Sequence, residues 1–286
     1  MDKQTPYLSD ADFAQLNFGD RFSLAKELTK GYGLKIFLVM LVIGLVLTAY
    51  AGFTINMLGV DAATLLRPGQ GQISYASTMP FGLLLLFILA FAIIPFFGVG
   101  LKNVALHYIL AAEPVRLTST VLAPLNRLSF FLICFFLWFV AYIGFQIISL
   151  FLGVIPGIGA PLIFILSIFY YLINNCAISY MADRGAYQQN MVDPIKAVTE
   201  PFKIVCHNLP AWIGALAMMF LLFLIPGVLV GFGGRLMQSS GSDLGWILVA
   251  IGGLVMVPIA VFDIFFMTIT YKHTSGRKLG VSEVFE

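Results

Sequence analysis

Six apolar stretches, each about 20 residues or longer, dominate this chain: 34–58, 80–108, 128–153, 161–182, 210–234 and 244–271. Each can cross about 30 Å of hydrocarbon as a helix. Lipid offers the backbone no hydrogen-bond partners, so such segments must satisfy their own amides and carbonyls. The expected fold is therefore all-α, a polytopic membrane bundle of six transmembrane helices. Composition agrees: 60% of the 286 residues are hydrophobic and 10% are charged, against about 25% charged in a typical soluble domain. A soluble enzyme, a disordered chain and a nucleic-acid-binding protein are all excluded. Residues 1–33 are polar, with Asp2, Asp10, Asp12 and Asp20 among the lysines, so the first apolar run starts too late for a secretory signal.

The net charge of +2 says little, but its distribution says much. Lys3, Arg21, Lys26, Lys30 and Lys35 precede or open the first span. Lys102, Arg116 and Arg127 border the second connection, and Arg184, Lys196 and Lys203 the fourth. Lys272, Arg277 and Lys278 follow the last span. The opposite connections hold only Arg67 and Arg235. Fourteen of sixteen basic residues on one side predict that both termini are cytoplasmic. The expected location is a bacterial cytoplasmic (inner) membrane.

Internal similarity comes next. The even spans end on Tyr108, Tyr180 and Tyr271, and thirteen residues before these stand Pro95, Ser167 and Pro258. The odd spans share Ala49-Tyr50-Ala51-Gly52-Phe53, Ala141-Tyr142-Ile143-Gly144-Phe145 and Val228-Leu229-Val230-Gly231-Phe232. Glu113-Pro114-Val115-Arg116 matches Asp193-Pro194-Ile195-Lys196. These matches predict three hairpin repeats, at about 18–112, 113–192 and 193–272, in a membrane domain over 34–272, with a cytoplasmic tail at 273–286. Each repeat would begin with a cytoplasmic interfacial amphipathic helix, at 13–30, 114–126 and 194–207. The first hairpin carries an insert, Gly59–Met79, which is a candidate partner contact or a tolerated loop.

Polar groups at membrane depth are the candidate site, because burying each one is costly. Asp263 lies eight residues before Tyr271 and Lys102 six before Tyr108. Asn103, His107, Asn174 and Asn175 share that cytoplasmic half. Packed around a pseudo-threefold axis, the six would form one cluster with an Asp263–Lys102 pair. Alternatively, Asp263 and Lys102 only stitch helices together, or Lys102 reaches the interface. Pro95 and Pro258 are candidate helix hinges. Gln146 is the sole strongly polar side chain near the middle of spans three and four, which argues against a path for ions or polar solutes.

No catalytic pattern appears. His107, His207 and His273 show no metal-binding spacing, and no serine sits in a G-x-S-x-G turn. Asp183-Arg184 is the densest charged set and reads as an ordinary helix end. No metal and no cofactor are expected. Cys134, Cys176 and Cys206 are odd in number and read as inert packing. The expected partners are membrane lipids or another membrane protein.

Repeated hairpins, the short helices at 114–126 and 194–207, and Asp193-Pro194-Ile195-Lys196-Ala197-Val198 give the chain a resemblance to a family. It resembles poorly characterised six-span bacterial inner-membrane proteins, among them the membrane domain that precedes some glycerophosphodiester phosphodiesterases. The resemblance covers about 18–278, and the phosphodiesterase catalytic domain is missing from this sequence. It implies a six-span fold and carries no activity over. The functional expectation is a non-catalytic scaffold, assembly factor or regulator that binds lipid or a membrane protein. The alternative is a transporter or flippase-like carrier of a lipid or small amphiphile.

Overall fold

The structure, a computed structural model, describes residues 10–57, 79–110, 116–190, 193–240 and 243–282. Among the described residues there is no strand, and six helices are long and apolar enough to cross a membrane. The insert Gly59–Met79 lies outside the described residues except for Met79.

The described residues begin with α1 (Asp10–Gln15) and then α2 (Phe18–Met57). A reciprocal cap starts α2: the Asp20 amide donates to Asn17 Oδ1 at 2.9 Å, and the Asn17 amide to Asp20 Oδ2 at 3.3 Å. No proline follows until the helix has run 40 residues, about 60 Å. A separate amphipathic helix at 13–30 is therefore not what forms. Its first residues belong to α1, and the remainder is the start of the first span's own helix.

The second span is α3 (Met79–Ile88), a π-helical turn (Leu89–Ile93) and α4 (Ile94–Leu110). Pro95 has no N–H to give, and the wide turn lies directly ahead of it, with the Ile94 amide donating to the Leu89 carbonyl. The expected helix at 114–126 is instead α5 (Leu117–Val121) and a 3₁₀ turn (Ala123–Arg127). Leu122 lies between them, and Pro124, near the start of the 3₁₀ turn, has no N–H with which to continue the α-helix.

Helices α6 (Leu128–Gly153) and α7 (Gly159–Tyr180) are joined by a five-residue turn. Gly157 there has φ +78°, a conformation that favours glycine. Gly159 faces the Leu152 carbonyl with no room for a Cβ. A second π-helical segment, Met181–Tyr187, continues α7. Helix α8 (Lys196–His207) starts after Asp193, whose Oδ1 accepts from the Ile195 amide at 2.9 Å. It buries Ala197, Pro201, Ile204 and Val205 and exposes Lys196, Lys203 and His207.

The last two spans are α9 (Leu209–Ser240) and α10 (Asp243–Ser282). Helix α10 passes Pro258, one of the two candidate hinges, without a break, and it continues beyond Tyr271. Lys272, His273 and Thr274 are buried, so no tail begins at 273.

Burial is concentrated at one end. Val99–Leu106 of α4, Phe131–Trp138 of α6, Leu172–Ala186 around the second π segment, Trp212–Met219 of α9 and Val261–Thr274 of α10 supply most of the core. This end carries α1 and the close of α10. At the opposite end, Phe151 is 73% exposed, Ile225 70% and Leu254 74%. The bundle is thus tightly packed at its terminal end and open at its hairpin end. Apolar side chains exposed there meet acyl chains in a bilayer, so leaving them unpacked costs little.

Candidate functional site

The six polar residues expected to cluster do not share hydrogen bonds between their side chains. Lys102 is buried on α4, and its Nζ donates to the Ile264 carbonyl at 3.4 Å. Asp263, on α10 beside that carbonyl, makes no ion pair with Lys102 within 4 Å. Asp263 Oδ1 is buried with no hydrogen-bond partner.

Asn103 follows Lys102 but points to another neighbour, donating through Nδ2 to the Thr120 carbonyl at 2.8 Å. One turn on, His107 Nδ1 meets the Asn103 carbonyl at 2.9 Å, and its ring lies edge-on to Tyr187 at 4.7 Å. Asn175 donates to Tyr171 of its own helix, and Asn174 is half-buried. Adjacent residues on a helix stand about 100° apart, so consecutive Lys102 and Asn103 necessarily face different partners.

A different network occupies the terminal end, centred on Asp183, which in sequence has the look of an ordinary helix end. Asp183, in the π segment after α7, is 1% exposed. Its Oδ2 accepts from Tyr271 Oη at 3.1 Å and Lys272 Nζ at 3.3 Å. Gln188 Nε2 donates to its Oδ1 at 3.1 Å. Gln188 Oε1 in turn accepts from Arg184 at 2.8 Å and Asn190 at 2.9 Å. The π segment leaves Gly185 against the Phe131 ring, where a Cβ would come within 2.9 Å.

Around this pair, α10 collects the rest of the terminal end. Arg21 of α2 donates to Thr270 Oγ1 at 3.3 Å, His273 Nδ1 meets the Phe13 carbonyl of α1 at 2.9 Å, and Asn208 donates to the Thr274 carbonyl at 3.4 Å. Trp138 Nε1 of α6 ties down α8 through the Ala197 carbonyl at 3.0 Å. A carboxylate with this many donors is held as a joint between helices. Two signals in the sequence mark it: an acidic residue just past Tyr180, and a lysine just past Tyr271.

Two apolar grooves lie between helices. One, of about 400 Å³, separates α2 from α10 and is lined by Phe37, Met40, Gly44, Met256, Val257 and Ala260. The other, of about 140 Å³, is lined by Phe87, Phe91, Leu132, Phe136 and Phe139 of α3, its π turn and α6. Among the described residues, no three His, Cys, Asp or Glu side chains are placed to hold a metal ion.

Comparison with known proteins finds no counterpart: no family model, no curated protein and no solved structure matches the chain. The resemblance to the membrane domain preceding phosphodiesterases therefore stands on the residues quoted for it alone.

Proposed function

We propose that this integral membrane protein is non-catalytic and acts as a scaffold, assembly factor or regulator by binding lipid or another membrane protein. One observation carries the reading. The most charged cluster, around Asp183, is saturated by the protein's own donors, while the open grooves are lined by apolar side chains. What the molecule offers an outside partner is apolar surface between helices. The proposed setting is a bacterial inner membrane, with both termini cytoplasmic, a reading supported by the fourteen basic residues on one side. The three hairpins are read as repeats of one unit on the sequence matches ending at Tyr108, Tyr180 and Tyr271.

Native mass spectrometry of the tagged protein, taken from its own membrane into lipid nanodiscs, tests this reading. A protein or lipid retained at fixed stoichiometry is expected. A bare chain, with nothing bound above the bulk lipid background, overturns it.

A second reading, a carrier for a lipid or small amphiphile, is favoured by Asp263. Its Oδ1 lacks a hydrogen-bond partner at membrane depth beside Lys102, and such groups mark substrate paths. The π turn before Pro95 would then belong to the moving part. A carrier changes the thiol accessibility of Asp263→Cys with substrate, whereas a scaffold keeps one pattern.

A further inference from the structure

We infer that the groove between α2 and α10 binds an anionic glycerophospholipid of the surrounding bilayer, with one acyl chain in the groove and the phosphate on Lys30 and Lys26. The inference rests on the lipid-binding reading and gives it a place and a ligand class.

The groove itself suits a chain. Its walls are apolar, and Gly44 keeps it open, since a Cβ there would meet nothing within 4 Å. At the terminal end it closes where Gly33 meets Val261, 3.6 Å from the position of a Cβ. From Phe37 to Leu45 it runs about 12 Å along α2.

Helix phase brings charge to the same stripe. Because α2 is unbroken from Phe18 to Met57, the spacing Lys26, Lys30, Phe37, Leu41, Gly44 places all five on one side, at steps of four, seven, four and three residues. Lys26 and Lys30 are both exposed. Glu27 is turned about 100° from Lys26 and about 60° from Lys30, at the stripe's edge, and Lys35 faces the other way, over the Tyr32 ring at 5.8 Å. The stripe therefore presents two cations, then an apolar channel.

Length selects a lipid over other apolar ligands. From Lys30 to Leu45 is about 22 Å along the helix. One leaflet of a bilayer, headgroup included, is half of about 40–45 Å. A phosphate at Lys30 thus places its acyl chain at the depth of the groove. Two lysines near the surface favour an anionic over a zwitterionic headgroup by about ten- to thirtyfold.

The test is native mass spectrometry of the full chain from nanodiscs of phosphatidylcholine with a minor fraction of phosphatidylglycerol. The wild type is expected to retain one phosphatidylglycerol. Gly44→Leu, whose Cβ meets nothing within 4 Å and whose longer side chain fills the groove, should lose it with its melting temperature unchanged. Lys26→Gln with Lys30→Gln should keep a lipid but lose the anionic preference about tenfold or more. Three results overturn the inference: equal retention by wild type and Gly44→Leu, equal retention of both headgroups by the wild type, or a dimer that Gly44→Leu splits. A retained lipid indifferent to Gly44→Leu removes this site but leaves lipid binding standing. Retention of neither lipid nor protein removes both.

Discussion

Lys272 and Asp183, 89 residues apart, meet as an ion pair at 3.3 Å with side chains only 3% and 1% exposed. Tyr271, next to the lysine, donates to the same carboxylate oxygen. The pair joins the end of the last span to the π segment that follows the fourth.

Breaking this pair from one side should be costly. Asp183→Leu leaves a buried lysine without its counter-charge, a change that typically costs about 3–5 kcal/mol. Removing both charges, with Asp183→Leu and Lys272→Met, should recover most of that loss. Tyr271→Phe deletes one hydrogen bond to a charged group and should cost about 1.5–3 kcal/mol. Melting temperatures of the purified variants in one detergent check the order. A double variant no more stable than Asp183→Leu would mean the pair is not what holds these helices.

The spans were legible because hydrocarbon imposes a length on apolar runs, and all six appear as long apolar helices. Helix starts were less so. The amphipathic pattern points to an interfacial helix at 13–30, yet the Asn17–Asp20 cap sets a helix that meets no proline before Met57. The site was the least legible. Depth along a helix can be counted from sequence, and this drew attention to Lys102 and Asp263. Which neighbour a side chain meets depends on rotation and crossing between helices, and counting along the chain does not supply either. Asp183 looked like an ordinary boundary charge because its donors come from residues 271 and 272 and from a π segment.

Lys102 and Asp263 should behave as a coupled buried pair of charges without being interchangeable. Lys102 Nζ rests on the Ile264 carbonyl, so a carboxylate at 102 would put acceptor against acceptor. The charge swap Lys102→Asp with Asp263→Lys is therefore expected to fail to restore yield. The double neutralisation Lys102→Met with Asp263→Leu should be more stable than either single variant, because no lone charge is left in the bundle. Yield of monodisperse protein and melting temperature measure both. Rescue by the swap would show that direct pairing governs this site.

Glycines should divide sharply by what lies beyond them. Gly100 of α4 faces the Val121 carbonyl with no room for a Cβ, whereas Gly144 of α6 has open space. Gly100→Ala must push α5 away from α4 and should cost about 1–3 kcal/mol. Gly144→Ala adds helix propensity and should be neutral or stabilising by up to about 1 kcal/mol. Thermal unfolding of the two variants side by side decides it, and equal melting temperatures would contradict the packing of α5 on α4.

The cysteines give a test of sidedness. Cys134 and Cys176 are buried and Cys206 is exposed, one residue before the end of α8. Burial excludes reagent, so a membrane-impermeant maleimide should modify one thiol of three in the native protein, and all three after denaturation. Helix α8 carries Lys196 and Lys203, part of the basic set on which the proposed orientation rests. Labelling of Cys206 should therefore occur in inverted vesicles and be absent in intact spheroplasts. Mass spectrometry of the labelled chain reads both the number and the position. Modification of Cys206 in intact spheroplasts would place α8 outside and reverse the proposed orientation of both termini. Two or three modified thiols in the native state would instead mean that the terminal end opens, since Cys134 and Cys176 lie within its core.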